Sequence, residues 1–270
     1  MGWVWQNGRL LPDHAARIDP SDRGLLLGDG LFETMRAHTG AVPLLPRHLV
    51  RLSASAVRLG IPIRYDGARL DAAIRGLLHE EELTDAAVRI TLTRGPGPRG
   101  LAMPEAPAPL LMIRAFPRAT TMPAPARAMT ASIPRNERSP LSGMKTLGCL
   151  DQVLCLREAH EAGCDDAIML TTDGLVACAT AGNLFVVKDG MVATPDLGCG
   201  ILPGITRAIL LDHWPHIHER RLLRADLLAA DEAFLTNSLI GVRPLVEIDG
   251  QPIGQGTPGP VTRQAADLVA

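Results

Sequence analysis

A chain of 270 residues, 46% of them apolar, can build one large core or two smaller ones. A net charge of −2 and an aromatic content of 3% argue against a basic nucleic-acid face, a polybasic membrane patch and base-stacking platforms. Five cysteines with no C-x-x-C point to reduced thiols rather than a disulfide framework or a zinc site. No apolar run reaches membrane-spanning length and no signal-peptide pattern opens the chain, so a cytoplasmic protein is expected.

Residues 3–11 predict a short hairpin turning at Asn7-Gly8. The Gly- and Asp-rich stretch 22–30 reads as a structured loop, and 31–38 as a strand. Leu45, Leu49, Leu52, Ala56 and Leu59 recur at helical spacing, which predicts a helix over 46–59. A second amphipathic helix covers 68–82. Strands follow at 87–93 and 109–115, around the loop Gly95-Pro96-Gly97-Pro98-Arg99-Gly100. Prolines between 117 and 125 mark a linker. Beyond it the pattern gives a strand at 126–133, a helix at 148–162, and strands at 166–171, 175–179, 184–188 and 191–194. Helices at 205–213 and 224–230, strands at 232–237 and 244–248, and a helix at 259–269 complete the chain. Strands and helices mix without strict alternation, so two α+β domains are expected, 1–116 and 126–270, joined by 117–125.

Of 27 basic residues only Lys145 and Lys188 are lysines. Arginine stays protonated, whereas a lysine amine can become a nucleophile and form a Schiff base. Lys188 ends an apolar run at the turn Asp189-Gly190 and reads as solvated. Lys145, in Ser142-Gly143-Met144-Lys145-Thr146-Leu147, is the candidate for chemistry; the plain alternative is a lone lysine at a helix start. Leu202-Pro203-Gly204-Ile205-Thr206-Arg207 precedes a helical run and can cradle a phosphate on free N–H groups, or be an ordinary helix start. Arg51, beside an apolar stripe, can reach inward to a phosphate or snorkel to solvent. Gly28-Asp29-Gly30 lacks the third glycine of a dinucleotide fingerprint. His213, His216 and His218 read as a strand with a polar face and its approach, so no metal is expected.

Taken in order, several segments resemble the class IV, fold-type IV pyridoxal-phosphate enzymes. They are Asp22-Arg23-Gly24 through Leu31-Phe32-Glu33, His48-Leu49-Val50-Arg51-Leu52, Lys145-Thr146-Leu147, Gly182-Asn183-Leu184-Phe185, Leu202 to Arg207, and Phe234-Leu235-Thr236-Asn237-Ser238. The family includes aminodeoxychorismate lyase, D-amino-acid aminotransferase and branched-chain aminotransferase. The resemblance implies pyridoxal phosphate at a domain interface, usually in a homodimer, acting on a small amino substrate. It matches Lys145 to the Schiff-base lysine. It matches Arg51, Leu202, Ile205, Thr206 and Ser238 to the cofactor-binding set, with Arg51, Ile205, Thr206 and Ser238 on the phosphate.

One position departs from the pattern. Where the family places a glutamate on the pyridine nitrogen, this chain has Cys178. A carboxylate keeps that nitrogen protonated, and a thiol is only a weak donor and acceptor. Of the three residues that hold the substrate carboxylate in D-amino-acid aminotransferase, Arg99 matches, but Phe32 replaces a tyrosine and Leu101 a histidine. The segments Lys145 to Ala162 and Thr93 to Arg99 resemble D-amino-acid aminotransferase, whereas the Arg-Gly-x-Gly-x-Arg-Gly loop, Leu150 and the residues to Leu154 resemble the lyases. The expected reaction is therefore elimination of pyruvate from 4-amino-4-deoxychorismate. The alternatives are transamination of branched-chain or D-amino acids, and cofactor binding with weak catalysis.

Overall fold

The computed structural model describes residues 2–118 and 123–269. The chain divides into two compact units, Met1–Thr120 with Met144–Gly148, and Thr121–Gly143 with Cys149–Ala270. Part of the expected linker, 119–122, lies outside the described residues. The expected assignment of everything from 126 to 270 to one domain needs a correction, because Met144–Gly148 packs with the first unit.

The first unit opens with the hairpin β1 (Trp3–Gln6) and β2 (Arg9–Pro12), then α1 (Arg23–Leu27) and β3 (Gly30–Ala37). Asn7 and Gly8 both take positive φ, as a two-residue hairpin turn requires. Next come α2 (Leu45–Leu59), α3 (Gly67–Glu80), β4 (Ala86–Thr93) and β5 (Leu110–Pro117). The sheet order is β2-β1-β5-β4-β3, antiparallel throughout. Helix α2 has Pro46 in its first turn and ends at Gly60 in the left-handed region, as the sequence pattern asks. One face of the sheet buries Leu31, Met35, Val88, Ile90, Leu92 and Ile113 in a core shared with Leu45, Leu52, Leu70, Ile74 and Leu77 of the two helices. Strand alternation therefore turns Phe32, Thr34 and Arg36 to the other face.

The second unit contains β6 (Ala126–Thr130), α4 (Leu150–Glu161), β7 (Asp166–Leu170), β8 (Val176–Ala179), β9 (Asn183–Lys188) and β10 (Met191–Pro195). It continues with α5 (Ile205–His213), β11 (His218–Arg220), α6 (Arg224–Leu228), β12 (Glu232–Asn237), β13 (Gly241–Ile248), β14 (Gln251–Pro252) and α7 (Pro260–Leu268). The sheet runs β11-β10-β9-β12-β13-β6-β7-β8, with β14 on β13. One face packs Phe185, Val187, Phe234 and Val242 against Leu210 of α5 and Ala265 of α7. The other buries Leu184, Val186, Ala233, Leu235 and Leu245 with Leu222 and Leu227.

The structured loop expected at 22–30 contains helix α1, and the strand expected to reach 133 ends at Thr130. Two other boundaries differ from the sequence pattern for clear reasons. The helix expected from 148 begins at Leu150, because the residues before it are extended against β3. The strand expected from 244 begins at Gly241, because it pairs with β12 through Asn237. The short strand β14 was not expected, although Asp249-Gly250, both at positive φ, is a hairpin signal. Among the described residues no helix is long and apolar enough to cross a membrane, and no three His, Cys, Asp or Glu side chains form a metal-holding group.

Phe185 and Phe234 are fully buried and stack with centroids 4.9 Å apart and planes 6° from parallel. Phe234→Ala is expected to lower the unfolding free energy by about 3–5 kcal/mol in a denaturant titration. A loss below about 1 kcal/mol would show that this core can collapse around the missing ring.

Candidate active site

Strand β3 ends its sheet, so one edge of its backbone lacks a neighbouring strand. Met144–Gly148 covers that edge. Phe32 N donates to Lys145 O at 2.9 Å, Leu147 N donates to Gly30 O at 3.0 Å, and Thr146 stands opposite Leu31. Gly30 permits the approach: a Cβ there would fall 2.4 Å from Leu92 O and 2.7 Å from Leu147 Cδ1. Met144 anchors the segment in the core. The pairing sets Lys145 Nζ 4.3 Å from the centroid of the Phe32 ring. Arg89 Cζ, from β4, lies 3.9 Å from the same centroid. An amine, a guanidinium and an aromatic face thus meet on one side of the sheet.

The opposite side carries a buried charge cluster. Glu33 projects inward between Leu31 and Met35 and is 1% exposed. Arg51 of α2 donates to it twice, Nε to Oε1 at 2.9 Å and Nη2 to Oε2 at 2.6 Å. His48, one turn earlier, places Nδ1 2.7 Å from Oε2. Burial pushes the Glu33 carboxyl up, but the hydrogen bonds from His48 and Arg51 and the Arg51 charge outweigh it and hold it below its ordinary value. Arg51 is thus turned inward rather than snorkelling, with its guanidinium plane fixed by a bidentate partner.

Arg99 and Leu101 are exposed on the loop between β4 and β5. Arg23 holds that loop through the carbonyls of Gly100, Leu101 and Ala102.

In the second unit Leu202, Ile205 and Thr206 share the turn that opens α5. Ile205 and Thr206 are buried, and no side chain caps the helix at Gly204. Helix N-termini of this kind attract anions through free N–H groups and the helix dipole. Ser238 follows β12 in a turn fixed by Asn237. Its Oδ1 accepts from Leu239 N at 2.9 Å and Ile240 N at 3.0 Å, and its Nδ2 donates to Ala181 O at 3.0 Å. Cys178 lies half-buried on β8, packed with Ala177, Cys199 and Ile201. Burial pushes its thiol up to about 11, against a smaller opposing pull from the Arg135 charge.

Comparisons with known proteins give the family. Residues 30–248 match the family model of class IV aminotransferases. A protein of Methanocaldococcus jannaschii provisionally named a branched-chain-amino-acid aminotransferase is 33% identical, over 97% of this chain and 93% of its own length. The D-alanine aminotransferase of Bacillus licheniformis is 31% identical, over 95% and 92%. A solved structure from Legionella pneumophila, provisionally named a 4-amino-4-deoxychorismate lyase, superposes with a TM-score of 0.89 at 29% identity, covering 95% of this chain and 96% of that one. The fold and the residues around Lys145 define an enzyme of the fold-type IV, pyridoxal-phosphate-dependent class. The chain belongs to the class IV aminotransferase family.

In each unit by itself the donor chemistry suits one part of pyridoxal phosphate. Lys145 offers an amine beside an aromatic ring, and α5 offers an uncapped N-terminus with the Thr206 hydroxyl. The Thr236 hydroxyl, from the strand leading to Ser238, is buried without a hydrogen-bond partner. Glu33, His48 and Arg89 are not candidates from sequence alone. Glu33 and His48 fall in the segments that carry the family resemblance, and strand alternation turns Glu33 inward. Arg89 left no signal short of the β3–β4 register.

Glu33→Gln removes the anion that orients Arg51. The variant is expected to bind pyridoxal phosphate about tenfold more weakly or worse. The carboxyl of Glu33 is depressed on folding, so its contribution to stability is full above the unfolded value, about 4.3, and is lost as pH falls through the lower folded value. The variant should therefore show a flatter acid limb in unfolding titrations, and an unchanged limb would place the charge cluster outside the stability balance.

Proposed function

We propose that this class IV enzyme is a lyase that eliminates pyruvate from 4-amino-4-deoxychorismate and releases 4-aminobenzoate in the cytoplasm. Pyridoxal phosphate supplies an electron sink for the charge left on the substrate carbon. Lys145 would hold the cofactor through Nζ, and the same amine would carry the proton away from the carbon bearing the substrate amine. Arg51, the Leu202–Thr206 turn and Ser238 would hold its phosphate. Phe32 would border the substrate, and Arg89, over the Phe32 ring, would offer a guanidinium to a substrate carboxylate. Arg99 and Leu101 complete the substrate set from their loop.

Cys178 carries this reading. With its thiol pushed up to about 11, Cys178 is neutral near pH 7 and gives no anion to a ring nitrogen. A weaker electron sink limits transamination more than an elimination whose product becomes aromatic. The names of the relatives favour a second reading, transamination of branched-chain or D-amino acids. A homodimer is the proposed assembly. The second copy would cover Leu25, Leu26 and Leu27 of α1 with Leu101 and Met103, all exposed and tied together through Arg23.

The purified enzyme is expected to form 4-aminobenzoate and pyruvate in equal amounts from 4-amino-4-deoxychorismate with no 2-oxo acid present. Turnover of D-alanine or L-leucine only when 2-oxoglutarate is added, with no aminobenzoate formed, would establish the aminotransferase instead. In Cys178→Glu, once cofactor occupancy is shown to be retained, the half-reaction with an amino donor is expected to accelerate about tenfold, equivalent to about 1.4 kcal/mol. An unchanged rate would remove Cys178 from the ring nitrogen.

A further inference from the structure

The register between β9 and β12 sets Phe185 opposite Phe234 and Asn183 opposite Thr236. Side chains two residues apart share a face, so Asn183 and Thr236 lie on the face that packs α5 and α7. They form a polar step at the end of an apolar ladder, at 5% and 1% exposure. Buried amides are costly unless both ends are used. Asn183 Nδ2 donates to Leu202 O at 2.9 Å. Its Oδ1 fills the space above Gly204, where a Cβ would fall 2.0 Å away. Gly204 has φ −66° and ψ 142°, a conformation open to any residue. The glycine is therefore required by Asn183 and not by the backbone angles.

We infer that Asn183 is a positioning residue for phosphate. It grips the turn from Leu202 to Gly204 by its carbonyl at one end and by close packing at the other. That grip holds the first N–H groups of α5 for an anion, in place of the side-chain cap the helix lacks. The inference rests on the proposed role of α5 as the phosphate site. It adds a residue that never touches the phosphate yet sets how well the protein distinguishes phosphorylated from unphosphorylated pyridoxal.

The test compares binding of pyridoxal phosphate and of pyridoxal to protein resolved of cofactor. Wild type should prefer the phosphorylated form; equal affinities would overturn the α5 site and this inference with it. Asn183→Ala is expected to lower affinity for pyridoxal phosphate about tenfold or more while leaving pyridoxal within about twofold. Gly204→Ala should do the same by displacing the Asn183 carbonyl. The double variant should be no worse than the poorer single one, because both act on one contact. Asn183→Leu keeps the volume without adding charge and loses the donor to Leu202, so it gives the same fall should the alanine variant not fold. Equal weakening of both ligands, additive effects in the double variant, or unchanged preference in the folded variants would each overturn the inference while leaving the wild-type preference in place.

Discussion

Two backbone hydrogen bonds on the open edge of β3 set the position of Lys145. They join Phe32 to Lys145 and Leu147 to Gly30. The paired segment, Met144–Gly148, is flanked in sequence on both sides by residues of the second unit, yet it packs with the first. An exposed strand edge is ordinarily a liability for aggregation. Here the chain itself covers it and uses the cover to deliver its lysine. Because β3 alternates, the same strand offers Phe32 to that lysine and Glu33 to Arg51 and His48 on the opposite side. A slip of one residue in the register would exchange the two faces and separate Lys145 from its ring.

The charges that matter are the buried ones. Lys188, with half its side chain exposed, pairs with Asp231 beside a hairpin turn, and such pairs contribute little. Glu33 is different. Its carboxylate is removed from water and survives as an anion only because Arg51 and His48 donate to it. Asp29 repeats the device near the start of β3, where Arg23 and Arg94 both bind its carboxylate. Arg23 then extends the framework into the loop that carries Arg99 and Leu101. Arginine supplies the fixed forks at these buried carboxylates, which a lysine amine does not match.

Much of the fold was legible because it is local. Helical spacing gave α2, Pro-Gly punctuation gave the start of α5, and apolar strand runs gave β9 and β12. Lysine scarcity and ordered motifs gave Lys145, Arg51, Ile205 and Thr206 their expected roles. What stayed hidden depends on contacts between residues distant in sequence. The start of the helix after Lys145 could not be placed without knowing that residues 145–147 pair with β3. Arg89 reaches Phe32 only through the β3–β4 register, and Asn183 reaches Gly204 only through a turn that folds back over β9. Domain boundaries read along the chain miss a segment that returns to an earlier unit.

The central claim is that Lys145 is the residue that binds pyridoxal phosphate covalently. Borohydride reduction of the holoenzyme followed by peptide mass spectrometry tests it most directly. The account predicts a phosphopyridoxyl group on Lys145 in the peptide that contains Met144 and Thr146. Modification of Lys188 alone, or a reduced protein with no modified lysine, would contradict it.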